Sequence, residues 1–247
     1  MPTIDVRFLG GLSAAQQSAF SVAAARWQEV LPAPLPAVTV DGEVTDGVII
    51  EAQGVNIDGS GSVLGAAGPT ALRPDLLLPA KGTMRFDTAD IRQLEAEGTF
   101  GSVILHEMGH VLGIGTLWAQ LGLLRGAGTD NPTFTGLAAQ AVYGELADAP
   151  RPLPVPVANT GGPGTREGHW REAVFGDELM SGFLSGERQP LSRLTVASLG
   201  DLGYEVDISA ADPYALGEPS GSIQALPLCR RDMMRPEPVV LPESALL

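Results

Sequence analysis

The chain has 247 residues and a formal net charge of −14, a length that fits one large domain or one domain with a smaller lobe. The acidic balance argues against nucleic acid and anionic membrane surfaces as partners, and no apolar run approaches the roughly 18 residues of a membrane span. The single cysteine, Cys229, excludes an intrachain disulfide, and the 31 glycines and 20 prolines favour loops and short elements over a helical bundle.

The N-terminal part of the chain alternates between strand and helix patterns. Apolar and charged side chains alternate over residues 3–9, which predicts a half-buried strand. A capping box, Ser13 with Gln16, opens an amphipathic helix predicted over residues 13–31. Residues 71–80 show no regular pattern. Further short strands are predicted at 38–40, 48–50, 63–64 and 83–86.

A buried helix is predicted over about residues 99–113, because almost every residue around its polar motif is apolar. Beyond it the patterns weaken. A helix is predicted over 134–146, a loop over 149–168, and a last helix from a Ser192 cap to Gly203. This order of elements predicts an α+β fold, with helices packed against a twisted sheet.

His106, Glu107 and His110 form the motif His-Glu-x-x-His within the buried helix, which is typical of zinc peptidases. Residues four apart lie on one helical face, so both imidazoles can present nitrogen atoms to one ion. Glu107 lies about 100° further round the helix, where its carboxylate reaches a metal-activated water rather than the metal. A hydrogen-bonded histidine pair without a metal is the structural alternative.

A third ligand is needed, because a catalytic zinc ion takes three protein ligands and keeps one position for water. The sequence contains one further histidine, His169, and we prefer it for this role. A downstream glutamate is the alternative. The candidates are Glu145, Glu167 and Glu172.

With Gly113, the motif extends to His-Glu-x-x-His-x-x-Gly and resembles the metzincin zinc endopeptidases. In that clan the glycine lets the chain turn sharply away from the helix, and a third ligand usually follows at the position that Thr116 occupies here. The leishmanolysin family instead places its third histidine beyond a long insertion, with a methionine shortly after it. His169 and Met180 match that arrangement.

The resemblance covers roughly residues 80–207 and implies a zinc-dependent endopeptidase that acts on polypeptides. It implies zinc ligation by His106, His110 and His169, with Glu107 as the general base. Met180 would form the apolar floor of a Met-turn. The rival hypothesis is a binding or adhesion module with a vestigial zinc site, although a purely structural site has no use for Glu107.

The resemblance also implies two subdomains. Residues 1–115 would hold a metzincin-like twisted mixed sheet and the long active-site helix. Residues 116–247 would form a smaller, mostly irregular and helical subdomain with the insertion, the third ligand and a Pro-rich tail. A secreted location is favoured by the family, although the N-terminus lacks the basic-then-apolar pattern of a signal peptide. The oligomeric state is left open.

Three further segments carry weaker hypotheses. Metzincins bind an extended substrate along a sheet edge, and Gly61–Gly68 is the candidate, since glycine allows close backbone approach; a plain glycine-rich loop is the alternative. Asp58 and the adjoining Gly-Ser run offer oxygen ligands to a structural Ca²⁺, without the repeated acidic spacing of a calcium loop. Cys229 is interpreted as a free cysteine without function.

Overall fold

The computed structural model describes residues 3–59, 61, 64–162, 164–184, 189–217, 226–227 and 237–247. In these ranges the α-helices are α1 (Ala14–Val30), α2 (Thr88–Ala96), α3 (Phe100–Val111), α4 (Leu137–Leu146), α5 (Glu172–Phe175) and α6 (Arg193–Leu202). The strands are β1 (Ile4–Phe8), β2 (Val38–Val40), β3 (Glu43–Thr45), β4 (Val48–Val55), β5 (Gly65–Leu72), β6 (Pro79–Asp87), β7 (Leu124–Arg125), β8 (Thr133–Phe134), β9 (Val155–Pro156), β10 (Phe183–Leu184), β11 (Leu226–Pro227) and β12 (Val239–Val240).

Five strands form the main sheet in the order β1-β4-β6-β5-β12. Strands β1, β4 and β6 are parallel, β5 is antiparallel to β6, and β12 pairs in parallel with β5 at Ala71 and Leu72. Three small sheets pair β2 with β3, β8 with both β7 and β9, and β10 with β11. The mixed sheet and its packed helices confirm the predicted α+β class.

The start of the chain folds as its sequence pattern predicts. Strand β1 lies within the predicted range, and Ser13 caps α1. The Ser13 hydroxyl accepts the Gln16 N–H at 3.3 Å, and the Gln16 side chain accepts the Ser13 N–H at 2.8 Å. Both bonds of the predicted capping box are therefore present, and they satisfy donors that a helix start leaves open.

The predictions around β5 were wrong in their boundaries. The strand runs from Gly65 to Leu72; of the two residues predicted as a strand, residue 64 precedes it and residue 63 lies outside the described residues. The supposedly irregular stretch after residue 70 also contains the start of β6 at Pro79. Strand β5 is built largely from Gly and Ala, which have little intrinsic preference for strands. Its pairing with β6 and its contact with α3 hold it in place instead.

Helix α3 lies against β5 and β6 on one side and α1 on another. Its close approach to the sheet depends on Gly82, because a Cβ atom there would lie 2.4 Å from Val111 Cγ1. From α1, the buried indole of Trp27 donates from Nε1 to the Leu105 carbonyl at 3.0 Å. Sheet and helix together fix the position of α3 and therefore of the motif it carries.

In the C-terminal half, the ends of helices α4 and α6 are capped by specific residues. Helix α4 begins at Leu137, later than predicted, because the preceding residues pair as β8. Asp201 of α6 accepts the N–H groups of Ala138 and Ala139, each at 2.9 Å, and so caps α4. Helix α6 is as predicted, with Ser192 at its start and Gly203 in the left-handed conformation at its end.

The largest hydrophobic cluster combines side chains from both predicted subdomains, among them Trp27, Met108, Trp170 and Leu199. The division at residue 115 therefore stays a prediction. Cys229 lies outside the described residues. None of the described helices has the length and apolar character needed to cross a membrane.

Asp87 joins the end of β6 to α2 and to the preceding loop. Its buried carboxylate accepts the Ala89 N–H at 2.8 Å and the N–H groups of Ile57, Asp58 and Gly59 at 2.9–3.0 Å. Burial alone would raise the pKa of Asp87, but the four backbone donors outweigh it, and the pKa lies below its ordinary value.

We expect Asp87→Asn to lower the free energy of unfolding at neutral pH by about 2–3 kcal/mol, because an amide cannot accept all four donors. A depressed folded-state pKa stabilises the protein above the unfolded value of about 3.9, and this contribution is lost as the pH falls through the folded value. Denaturant unfolding at several pH values should show the difference between wild type and variant narrowing in acid. The exposed cap Asp207→Asn serves as control and should cost less. A difference that does not change with pH would contradict the assignment.

Candidate metal centre

Three imidazoles meet at one point in the interior. His106 and His110 lie on α3, and His169 lies between β9 and α5. The three Nε2 atoms form a triangle with sides of 3.0, 3.0 and 3.1 Å. All three rings are buried, with at most 1% of each residue exposed. The third histidine of the sequence is thus brought to the predicted pair.

The other nitrogen of each ring faces a backbone carbonyl. His106 Nδ1 lies 2.6 Å from Leu179 O, His110 Nδ1 lies 2.9 Å from Ile114 O, and His169 Nδ1 lies 2.9 Å from Thr165 O. A carbonyl only accepts, so each Nδ1 carries the proton and each Nε2 presents a lone pair. Three lone pairs at this separation repel one another unless a cation lies among them.

The donor set suits a metal ion such as zinc. Zinc binds imidazole nitrogen at about 2.0–2.1 Å, and a catalytic zinc ion takes three protein ligands. Among the described residues, these histidines are the one group of three or more His, Cys, Asp or Glu side chains that can hold an ion. The carbonyl partners of the Nδ1 atoms are the kind of interaction that orients metal-bound histidines.

The alternative glutamates have other contacts. Glu145 forms an exposed ion pair with Arg193 at 3.0 Å, and Glu167 accepts the Gly128 N–H at 2.7 Å. Glu172 is the first residue of α5. None of them belongs to the group of potential ligands found in the described part of the chain. Asp58 is likewise outside that group, and Ca²⁺ binding at its loop stays a prediction.

The end of α3 orients His110. Gly113 has a φ of 109°, a left-handed conformation that glycine adopts without steric cost. The Gly113 N–H donates to His110 O at 3.2 Å, and the Ile114 N–H donates to Gly109 O at 3.1 Å. These two bonds form a Schellman motif. This turn brings the Ile114 carbonyl back to His110 Nδ1, so the predicted turn also fixes the tautomer of this imidazole.

Residues 116–167 form a long insertion whose two ends lie next to each other. Gly115, just after α3, touches Gly168, just before His169: a Cβ atom on Gly115 would lie 1.9 Å from Gly168 O. The Ala158 N–H donates to His169 O at 2.8 Å, and the Glu167 N–H donates to Ala158 O at 2.9 Å. These backbone bonds hold the segment that delivers the third imidazole.

Met180 lies in a turn against α3. The Ser181 N–H donates to Glu178 O at 2.9 Å and closes the turn. Met180 is fully buried, and a Cβ atom on Gly109 would lie only 2.8 Å from its sulfur. The preceding carbonyl, Leu179 O, is the partner of His106 Nδ1. The predicted methionine is therefore adjacent to the helix between the two motif histidines.

Glu107 is also fully buried, and it faces the first residue of β5. A Cβ atom on Gly65 would lie 3.3 Å from Glu107 Cγ and 3.4 Å from Cδ. A glycine of the segment proposed for substrate thus makes a close contact, but with the predicted general base. No pattern in the sequence predicts this contact between Gly65 and Glu107.

Sequence reasoning missed one buried acid beside the centre. Glu178 is fully buried, and its carboxylate contacts the start of α6. Burial raises its pKa, while hydrogen bonds from Ser192, Thr195 and Met180 oppose the increase. The sequence contained a signal only in part: the Ser192 cap was recognised, but not that a distant acid shares it.

We expect Gly109→Ala to lower the free energy of unfolding by about 1–3 kcal/mol, because the added methyl group overpacks against Met180 and Trp27. Gly101→Ala is the matched control in the same helix, since a Cβ atom there meets nothing within 4 Å. The control should be neutral or stabilise by up to about 1 kcal/mol through helix propensity. Chemical denaturation of both variants measures the difference. Equal stability would show that the contact with Met180 is not tight.

A family model described as leishmanolysin matches residues 36–233, more than half of the chain. A search of curated proteins gives no match. The matched range contains all three histidines, Glu107 and Met180. The chain belongs to the leishmanolysin family of zinc-dependent metallopeptidases.

Proposed function

We propose that the protein is a zinc-dependent endopeptidase. His106, His110 and His169 bind the ion, and Glu107 is the general base. The observation that supports this most is the set of three Nε2 lone pairs, 3.0–3.1 Å apart, with each Nδ1 proton directed to a carbonyl. Membership in a peptidase family supports polypeptides as substrates.

The proposed chemistry assigns one task to each group. When bound, zinc supplies Lewis acidity, which lowers the pKa of water and polarises a carbonyl oxygen. The Glu107 carboxylate accepts a proton from the attacking water as the new C–O bond forms. It then returns the proton to the amine nitrogen as the C–N bond breaks. The carbonyls at Leu179, Ile114 and Thr165 keep the three rings in the ligating tautomer.

Access to the centre requires movement, because Glu107 and all three imidazoles are buried. Of the proposed substrate segment Gly61–Gly68, the structure describes residues 61 and 64–68, and β12 pairs further along the strand, with Ala71 and Leu72. Most of this stretch is buried as well. A polypeptide can therefore dock along β5 only if some of the surrounding chain opens. Unfolded substrates, which adapt to a narrow opening, are the suitable test material.

We expect the zinc-loaded protein to cleave unfolded casein and a chelator to abolish cleavage. Glu107→Gln should lower the rate by about 10²–10⁴-fold, the usual contribution of a positioned general base, while zinc remains bound at one equivalent. Glu167→Gln, a carboxylate bonded to Gly128, is the control and should retain activity. Gel analysis of casein fragments and metal analysis of each variant provide the measurements. Stoichiometric zinc without cleavage of any polypeptide would favour a binding module instead.

We expect His169→Ala to lose zinc at concentrations that saturate the wild type, because two imidazoles remain from a set of three. Glu145→Ala should bind zinc as wild type does, since its partner is the exposed Arg193. Titration against a chromogenic chelator measures both. Retained zinc and activity in the His169 variant would refute its assignment and return a glutamate to consideration.

A further inference from the structure

Glu178 is a buried carboxylate for which the proposed mechanism has no use. Its Oε1 atom accepts from the Ser192 N–H at 3.2 Å, the Ser192 hydroxyl at 2.6 Å and the Thr195 hydroxyl at 2.5 Å. Its Oε2 atom accepts from the Met180 N–H at 2.6 Å. Four donors from two separate segments therefore meet on one side chain that is completely removed from solvent.

The first segment is the turn that contacts His106. The Glu178 carboxylate bonds to the Met180 N–H within the turn that the Ser181 N–H closes. Leu179 lies between Glu178 and Met180 in this turn, and its carbonyl oxygen is 2.6 Å from His106 Nδ1. Glu178 thus holds in place the peptide that determines the tautomer and orientation of one imidazole.

Through Thr195, which belongs to the second segment, the network also reaches the part of the chain that carries His169. The neighbouring Trp170 donates from its indole Nε1 to the Thr195 hydroxyl at 2.8 Å, and that hydroxyl in turn donates to Glu178. The Trp170 N–H also donates to Met180 O at 2.9 Å. The residue after the third imidazole is therefore fixed through the same carboxylate and the same turn.

The start of α6 compensates the buried acid. Ser192 is the N-cap: its hydroxyl donates to Glu178 and accepts the Thr195 N–H at 3.3 Å. A negative charge at a helix N-terminus is stabilised by the free N–H groups and the helix dipole. Four hydrogen bonds to one carboxyl group join the turn to the start of α6.

We propose that Glu178 is a positioning residue of the metal centre, which holds the Leu179 carbonyl and the His169–Trp170 segment in the arrangement that three convergent imidazoles require. It acts through His106 and His169 and does not touch the reacting atoms. The inference rests on the proposed zinc site, but it concerns metal affinity rather than hydrolysis.

The test measures zinc affinity of the full chain by competition with a chromogenic chelator, together with the visible spectrum of the cobalt-substituted protein. Glu178→Gln should weaken zinc binding by about 10–100-fold, the range found when a residue that supports a metal ligand is changed. The cobalt bands should shift or broaden, because the imidazoles are no longer held in one arrangement. Thermal unfolding of the metal-free protein shows how much stability is lost.

Asp201→Asn is the matched control. Asp201 is a partly buried carboxylate near the end of α6, where burial raises its pKa, and its donors are the N–H groups at the start of α4. Its loss should lower the melting temperature without changing zinc affinity or the cobalt spectrum. This separates a positioning effect from a general loss of stability.

A second pair of variants covers the case in which Glu178→Gln does not fold. Thr195→Val removes the hydroxyl between Trp170 and Glu178 and should weaken zinc binding by about tenfold. Thr195→Ser keeps the hydroxyl and should restore the wild-type affinity.

The outcomes are distinct. Unchanged zinc affinity in Glu178→Gln, or in Thr195→Val if the former does not fold, would overturn the positioning role while leaving the peptidase proposal intact. If the wild type binds zinc but cleaves no polypeptide, and the variants bind zinc more weakly, the positioning role is supported and the peptidase proposal is overturned. A wild type that binds neither zinc nor cobalt would overturn both.

Discussion

Three N–H···O=C hydrogen bonds govern this structure, each joining an imidazole Nδ1 to a backbone carbonyl. They matter because they leave three lone pairs facing one another in a dry interior, an arrangement that only a cation makes favourable. Each of the three carbonyls belongs to a turn of the chain. Much of the surrounding fold can be understood as support for those turns.

Several of the supporting contacts depend on glycine, because a larger side chain would keep the packed elements apart. At Gly82 the sheet approaches α3, and at Gly109 the helix approaches α1 and Met180. At Gly65 the sheet edge approaches Glu107. Glycine costs helix and strand stability in each case. The loss is compensated by close packing of the layers, which holds the motif in a fixed place.

The sequence predicted the parts of the fold that have a periodic or capping signal. The α1 capping box, the buried α3 helix and the α6 helix with its Ser192 and Gly203 ends were confirmed because local chemistry determines them. Strand β5 was misplaced, since Gly and Ala carry no strand signal and its position comes from its neighbours. A sequence pattern predicts an element only where interactions within that segment determine its conformation.

The candidate centre shows the same division. His106, Glu107 and His110 were evident from spacing alone, while His169 needed the family resemblance and the count of histidines. Of the Glu178 network, only the Ser192 cap gave a signal, because nothing in the sequence pairs this acid with the start of α6. Sequence motifs indicate the candidate metal-binding residues, whereas the residues that orient them are brought together by tertiary contacts.

The contact between Gly115 and Gly168 has a consequence for how such a chain tolerates change. Residues 116–167 leave and return at a single point, so they form a closed loop whose ends are already fixed. The entropy of closing a loop grows only logarithmically, by about 0.6 kcal/mol for each doubling of length. Insertions at its exposed turns therefore cost little, provided that Ala158 and Thr165, whose backbone groups hold His169, keep their places. The exposed turns between His110 and His169 can thus vary in length with little effect on the place where the three imidazoles meet.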